Sequence, residues 1–484
     1  MAQRIEPQMI FGDTSQGIVQ KVRNTLAPPN SVENSVNVVF DEYLGESVVR
    51  KGCTLVGSQL IAFDTTINGL YNFYPSNHTN AKLLAVSNLA DNSKGVIYYL
   101  NGANWTSALS TDTASLKTRF ATFLDVVVRM NGTDTVLGST DGITWAENLA
   151  LDTTHFPKGK FVKVYKDQMT TAGVATKPSS LYISSVPNAN GTAISWTSGN
   201  REIVVNPEDG QEITGLGTVS GVEIIFKDHS MYRWNNRSVE AEPLVTVGCL
   251  SQESVANCGG GILSFFNEKG IWITTGEQPI LISRRIQKWI DGMSSSFYSN
   301  VSAFGDEEHL YMSLGDCTVD GKTYQNVVAR YSLNTKEFAV FSYANEFRRF
   351  TGYQDGTDYK IVGGDTTNRV LQIESSSTTD NGTAISFEIV SHEQDFGSRG
   401  VLKQLNERIE AYGINPNGAL VLVSIDGGAY TSIGQMKKEI ESLVIKKSTE
   451  GHYYKFKIAG VSKDKRPRIQ GLEIPKVTLV DYQS

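Results

Sequence analysis

The sequence predicts an all-β protein: a β-propeller of six or seven blades with an extended N-terminal arm and an additional C-terminal β-sandwich-like domain. Three observations predict it. Asn-Gly and Asp-Gly pairs recur along the chain, at Asn101, Asn131, Asp141, Asn190, Asp209, Asp320, Asp355, Asn381, Asn417 and Asp426 among others. These residues tolerate the positive φ angles of type I′ turns, whose twist matches the strands they join. Between them lie short apolar or alternating runs rich in β-branched and aromatic residues, such as Val96-Ile-Tyr-Tyr-Leu100 and Val222-Glu-Ile-Ile-Phe226. Finally, strand–turn–strand units repeat every ~40–58 residues, the length of a four-stranded blade. A pair of β-sandwiches is the alternative arrangement of the same strands.

Residues 1–60 contain Ala27-Pro-Pro-Asn30 and few strong strand signals, and read as an arm that wraps a neighbour or the chain's own surface. The propeller is predicted over 61–385, with units beginning near Leu70, Phe120, Phe161, Val219, Gly261, Val301 and Phe350. The clearest pair is Val222–Trp234 and Ile262–Ile273, each an apolar strand, a polar turn and a strand bearing tryptophan. One helix is predicted, over Ser283–Gly292. Ser283 is placed to cap it, Ile286, Trp289 and Ile290 share a face, and Gly292 stops it. From 386 to 484 strands lengthen and lysines rise. Ile385–Val390, Arg408–Tyr412, Ala419–Ser424 and Tyr453–Ile458 are expected to form the C-terminal β domain.

Composition narrows the function classes. The chain has 484 residues, 40% hydrophobic and 20% charged, which is globular and not disordered. No run approaches the ~18 apolar residues of a membrane span, and Met1–Pro7 has no apolar signal region, so synthesis in the cytoplasm is expected. Cys53, Cys249, Cys258 and Cys317 form no CxxC pair, against a zinc ribbon or disulfide framework. The net charge of −7 is unevenly placed. Residues 401–484 hold 13 Lys and Arg against 9 Asp and Glu, leaving 31 against 42 for residues 1–400. The larger part should repel nucleic acid, not grip it. Lys463, Lys465, Arg466 and Arg468 are the candidate assembly contacts in the basic C-terminal part.

Motifs that could carry chemistry fail on spacing. Gly315-Asp-Cys-Thr-Val-Asp-Gly321-Lys322-Thr323 has one residue too many for a phosphate loop, and a strand follows it where a helix is required. Asp306-Glu-Glu-His309 has metal-ligand residue types, but neighbouring strand residues face opposite ways. Ser139-Thr-Asp141-Gly-Ile-Thr-Trp145 and Ser424-Ile-Asp426-Gly-Gly-Ala-Tyr430 resemble the Asp-box of sialidase propellers, a turn-stabilising device without catalytic atoms. No catalytic residue, cofactor or metal ligand is assigned, and the protein is expected not to be an enzyme.

Several stretches together resemble the packaged-DNA-stabilisation, or tail hub/nozzle, proteins of short-tailed bacteriophages, with tail tubular protein B as a more distant relative. They are Asn34–Asp41 leading to Val49-Arg-Lys-Gly52, Lys177–Ser184, Met231-Tyr-Arg-Trp234, Lys269–Gly276 with Pro279 and the Ile282–Ile290 helix, and Asp395-Phe-Gly397 with Ser424–Gly428. They occur in family order over most of the chain. The resemblance implies a propeller joined to a second β domain and a homo-oligomer, a hexameric ring, below the portal and head-to-tail adaptor. That ring continues the DNA channel, retains the packaged genome and allows its ejection. Implied partners are the adaptor or portal ring, tail needle, spike or fibre proteins, and genomic DNA passing without sequence-specific binding. The implied location is the virion tail. A glycan-binding or glycan-cleaving propeller of a tail or cell surface is the alternative.

Overall fold

The computed structural model describes residues 4–20, 27–60, 65–147, 150–405, 408–445, 449–462 and 464–480. Seven antiparallel sheets follow one another along the chain, and each innermost strand packs beside the next until the seventh meets the first. This is a closed seven-bladed β-propeller. The innermost strands are Gly69–Phe73, Arg119–Phe123, Phe161–Tyr165, Ile213–Val219, Ala256–Cys258, Ala303–Gly305 and Phe347–Asp355. The sequence repeat locates these blades, with an offset in two. Val219 ends the innermost strand of blade 4, and Gly261 precedes the second strand of blade 5, because the strongest apolar run in each lies one strand further out. Among the described residues blade 2 has three strands, extended by a single bridge between Gly138 and Ala146.

Turn chemistry accounts for the hairpins. Asp320 and Gly321 both have positive φ (50° and 80°), as do Asn417 and Gly418 (55° and 76°), the signature of the type I′ turn. The phosphate-loop-like segment is therefore the tip of a hairpin whose strands, His309–Val319 and Lys322–Ser332, are 11 residues each. At the Asp-box-like turn, Asp141 Oδ1 accepts from the amides of Ile143 and Thr144 at 2.8 and 2.7 Å and from Ser139 Oγ at 2.9 Å. Its carboxylate is consumed by the turn. The predicted helix is a 3-10 turn, Ser283–Ile286, followed by a short α-helix, Gln287–Asp291, with Ile286, Trp289 and Ile290 buried. Ser283 does not cap it. Its buried Oγ accepts instead from the amide of Ile271 at 3.1 Å, tying the turn to blade 5.

The second β unit draws strands from both ends of the chain. One five-stranded sheet runs Asn34–Val36, Ser386–Val390, Tyr454–Val461, Ala419–Ile425, Thr431–Met436. The facing sheet runs Val38–Val39, Ser47–Val49, Arg468–Ile474, Arg408–Ile414, Ile440–Val444, with Gln8–Ile10 also paired to Arg468–Ile474. Alternate burial along Arg408–Ile414 and Tyr454–Val461 gives each sheet one inward face. The described residues of the segment 1–60 thus lie on their own chain, woven into this sandwich. It then closes the propeller, since Thr54–Leu55 pairs with Val370–Ile373 as the outermost strand of blade 7. Asn37 is the corner between the two sheets: its φ of 61° turns the chain, and its amide donates to Val340 O at 2.8 Å.

One buried acid makes blades 3 and 4 sensitive to pH. Glu223 is fully buried, its Oε1 accepts from Thr170 Oγ1 at 2.6 Å, and its Oε2 has no partner among the described residues. Burial pushes its carboxyl up from 4.5 to about 8, against the opposing pull of Thr170 and Lys163. Between those two values the native chain holds a proton that the unfolded chain has lost, so stability falls as pH rises through that window. Glu223→Gln is expected to flatten the profile between pH 5 and 8, losing less stability than wild type as pH rises through that window. Urea unfolding at three pH values measures this; equal slopes in both proteins would show that Glu223 is already ionised in the native state.

Candidate functional site: the cleft between propeller and sandwich

The long hairpin of blade 6 reaches the sandwich and creates a cleft of about 350 Å³ there. Tyr324 and Lys322, just beyond the hairpin turn, meet Glu388 on strand Ser386–Val390 of the sandwich. The Tyr324 hydroxyl donates to Glu388 Oε1, Lys322 Nζ lies 3.2 Å from Oε2, and Lys457 also pairs with Oε2. On the other wall, Glu33 receives Lys455 at 2.6 Å and Lys288 at 3.3 Å, and Lys288 also pairs with Asp320 at 3.1 Å. A second hollow of about 510 Å³ shares Lys322, Tyr324 and Glu388 with the first. The Tyr324–Glu388 contact therefore stands as a pillar between them.

The electrostatics identify this as a clasp. Burial would raise the carboxyl of Glu388, but hydrogen bonds from Lys457 and Tyr324 win and hold it below its usual range. Burial likewise opposes ionisation of Glu33, and Lys455 and Lys288 outweigh it. Burial, with Glu388 beside it, drives the Tyr324 phenol upward, keeping it a proton donor. Acids pinned in the ionised form beside protonated partners join surfaces well and relay protons poorly near neutral pH.

The candidate assembly residues divide. Lys463 lies outside the described residues, and Lys465 is exposed. Arg466 pairs with Glu42 through both terminal nitrogens and donates Nε to Val49 O at 2.7 Å. Arg468 pairs with Glu46 and stacks 3.7 Å above the Tyr43 ring. The two arginines hold residues 42–49 of the arm against the sandwich.

Two further clusters lie at the junction. Arg50, fully buried, forks onto Asp380 at 2.8 and 2.6 Å, donates Nε to Asn37 Oδ1 at 2.8 Å and Nη2 to Ser342 O at 3.1 Å, and lies 3.8 Å above Tyr343. Asp41 joins Arg330 and His309 Nε2, the latter at 2.7 Å. The histidine of the acidic cluster thus serves a hydrogen bond with the arm. Among the described residues no three His, Cys, Asp or Glu side chains converge as a metal site requires. No motif pointed to Arg50 and Asp41 individually, since their partners lie about 300 residues away. The signal available was their place within the Asn34–Asp41 and Val49–Gly52 stretches that carry the family resemblance.

No protein-family model matches the sequence. No curated protein matches it either. Among solved structures, the chain is similar to a YCF48 described as bound to D1 peptide, at 9% identity and a TM-score of 0.40, over 69% of this chain and 96% of that one. It is also similar to BamB from Moraxella catarrhalis, at 8% identity and a TM-score of 0.37, over 71% of this chain and 96% of that one. The chain is a β-propeller protein by its own closed ring of seven sheets.

Proposed function

We propose that this protein is a structural subunit of a short-tailed phage tail. In this reading it is a hub or nozzle that assembles as a homo-oligomeric ring below the portal and adaptor and continues the DNA channel. One observation carries the reading. Propeller, sandwich and arm are bound into a single body, yet strand Ile440–Val444 ends its sheet with no further strand paired to it among the described residues. Ile440 and Val444 on that strand are 58% and 51% exposed. An unpaired edge with outward apolar side chains is a template for another chain, and a ring closes by repeating one such contact between copies. The acidic balance of residues 1–400 supports a wall along which duplex DNA slides without adhering.

The test is negative-stain microscopy of the purified protein mixed with adaptor-loaded portal, together with light scattering of the protein alone. Wild type is expected to add a ring. Ile440→Lys with Val444→Lys is expected to melt like wild type and to lose ring formation, because both side chains face solvent in the subunit. Reversing Lys465 together with Lys463 tests the basic contact without disturbing the arm. Arg466 and Arg468 are excluded from that variant because their reversal would release Glu42 and Glu46. A wild-type protein that stays monomeric and never attaches to the adaptor would sink the reading.

A further inference from the structure

The propeller axis holds another hollow, of about 220 Å³, which shares no lining residue with the interdomain cleft. Blades 1, 2, 3, 6 and 7 contribute to it, together with residues 252–255 leading into blade 5. Its charged lining is Arg119 from blade 2, Lys163 from blade 3, Glu253 before blade 5 and Arg349 from blade 7. Arg119 Nη2 lies 2.6 Å from Glu253 Oε1, and Nη1 donates to Lys160 O at 2.9 Å. Lys117 approaches the same carboxylate at 3.8 Å.

Arg349 is only 7% exposed. It donates Nε to Asn68 O at 3.0 Å and Nη1 to Arg348 O at 2.5 Å, while its Nη2 makes no hydrogen bond among the described residues. Lys163 Nζ is likewise without a hydrogen bond among the described residues. The acid behind it, Glu223, accepts from Thr170 at Oε1, and burial favours its protonated form, so it sets little charge against Lys163. Burial works to neutralise Glu253, but Arg119, Arg349 and Lys117 hold its carboxyl at about 2, so it already counts as an anion. Burial lowers the pKa values of Lys163 and Arg349, and Glu223 and Glu253 oppose that shift; with Lys163 and Arg349 both protonated, the lining sets three cations against one anion. Uncompensated cations in a hollow walled by Leu70, Phe120, Val162 and Phe350 are costly for folding alone, where apolar side chains would serve better. A guanidinium fork and an ammonium facing one small cavity match an oxyanion.

We propose that the axial pocket binds a small oxyanion, a phosphate or carboxylate group, with Arg349 and Lys163 as its donors. The site is independent of the tail assignment and belongs to the subunit itself. Isothermal titration of the full chain at low salt, with inorganic phosphate and separately with succinate, tests it. One site per chain is expected, and the tighter of the two probes identifies the group. Lys163→Met is expected to keep the melting temperature and to weaken binding roughly tenfold, because one donor and one charge are lost. Glu253→Gln is expected to tighten it, since the resident carboxylate no longer competes. If Glu253→Gln does not fold, Lys163→Met decides. No binding of either probe up to about 50 mM, or wild-type affinity in Lys163→Met, overturns the proposal.

Discussion

Replacing Arg50 by methionine is expected to destabilise the protein by about 3–5 kcal/mol, the cost of breaking a buried ion pair from one side. The magnitude follows from what remains. Asp380, at 5% side-chain exposure, loses the one ion-pair partner it has among the described residues, and Asn37 Oδ1 and Ser342 O each lose a donor. Arg50 also joins three parts of the molecule. Asn37 is the sandwich corner, Ser342 ends a strand of blade 6, and Asp380 follows the last blade. Lysine should restore little, because an ammonium cannot fork onto Asp380 while also reaching Asn37 and Ser342. Arg50→Met combined with Asp380→Leu should recover much of the loss, since no buried charge is then stranded. Urea midpoints of the two single variants and the double variant measure the coupling. A wild-type midpoint for Arg50→Met would mean that the junction is held by apolar packing alone.

The propeller was legible in the sequence because its signals are local. Type I′ turns announce themselves as Asp-Gly and Asn-Gly pairs, and the second strands of several blades are compact apolar runs such as Val222–Phe226 or Ile262–Phe266. Seven blades rather than six emerge only when closure is seen, and the seventh blade takes its outermost strand from Thr54 and Leu55, more than 300 positions away. No propensity marks so short a strand. Ser283 misled for a related reason. A serine before an apolar-periodic run reads as a cap, yet tertiary packing carried its hydroxyl to the Ile271 amide instead. The cleft was hidden in a different way. Lys322 looked like a failed phosphate loop, and only the length of its hairpin brings it to Glu388, 66 residues further on. The arm was hardest, because its strands are two or three residues long and acquire meaning only from their partners.

That weaving gives the arm the largest single effect. A chain beginning at residue 57 is expected to be recovered unfolded or aggregated, not as a trimmed but stable core. Ten valine, isoleucine and phenylalanine side chains between Ile10 and Val49 are buried in the same continuous core as Trp289, Phe338 and Phe456. At ~1.5–3 kcal/mol for each buried side chain, their removal exceeds the ~5–15 kcal/mol of net stability typical of a folded domain. The deletion also opens Ser386–Val390 and Val370–Ile373 along the edges where Asn34–Val36 and Thr54–Leu55 pair, exposing templates for aggregation. Gly52 marks how tightly the passage is built. A Cβ there would stand 2.0 Å from Thr379 O, and its amide donates to Ser377 O at 2.7 Å. Gly52→Val should therefore lower the melting temperature sharply while every strand remains encoded. Solubility and cooperative melting of the 57–484 chain decide the matter. A soluble fragment with a single sharp transition would show that the arm only dresses a core complete without it. Rescue on co-expression with residues 1–56 would show instead that the arm acts as structure supplied in trans.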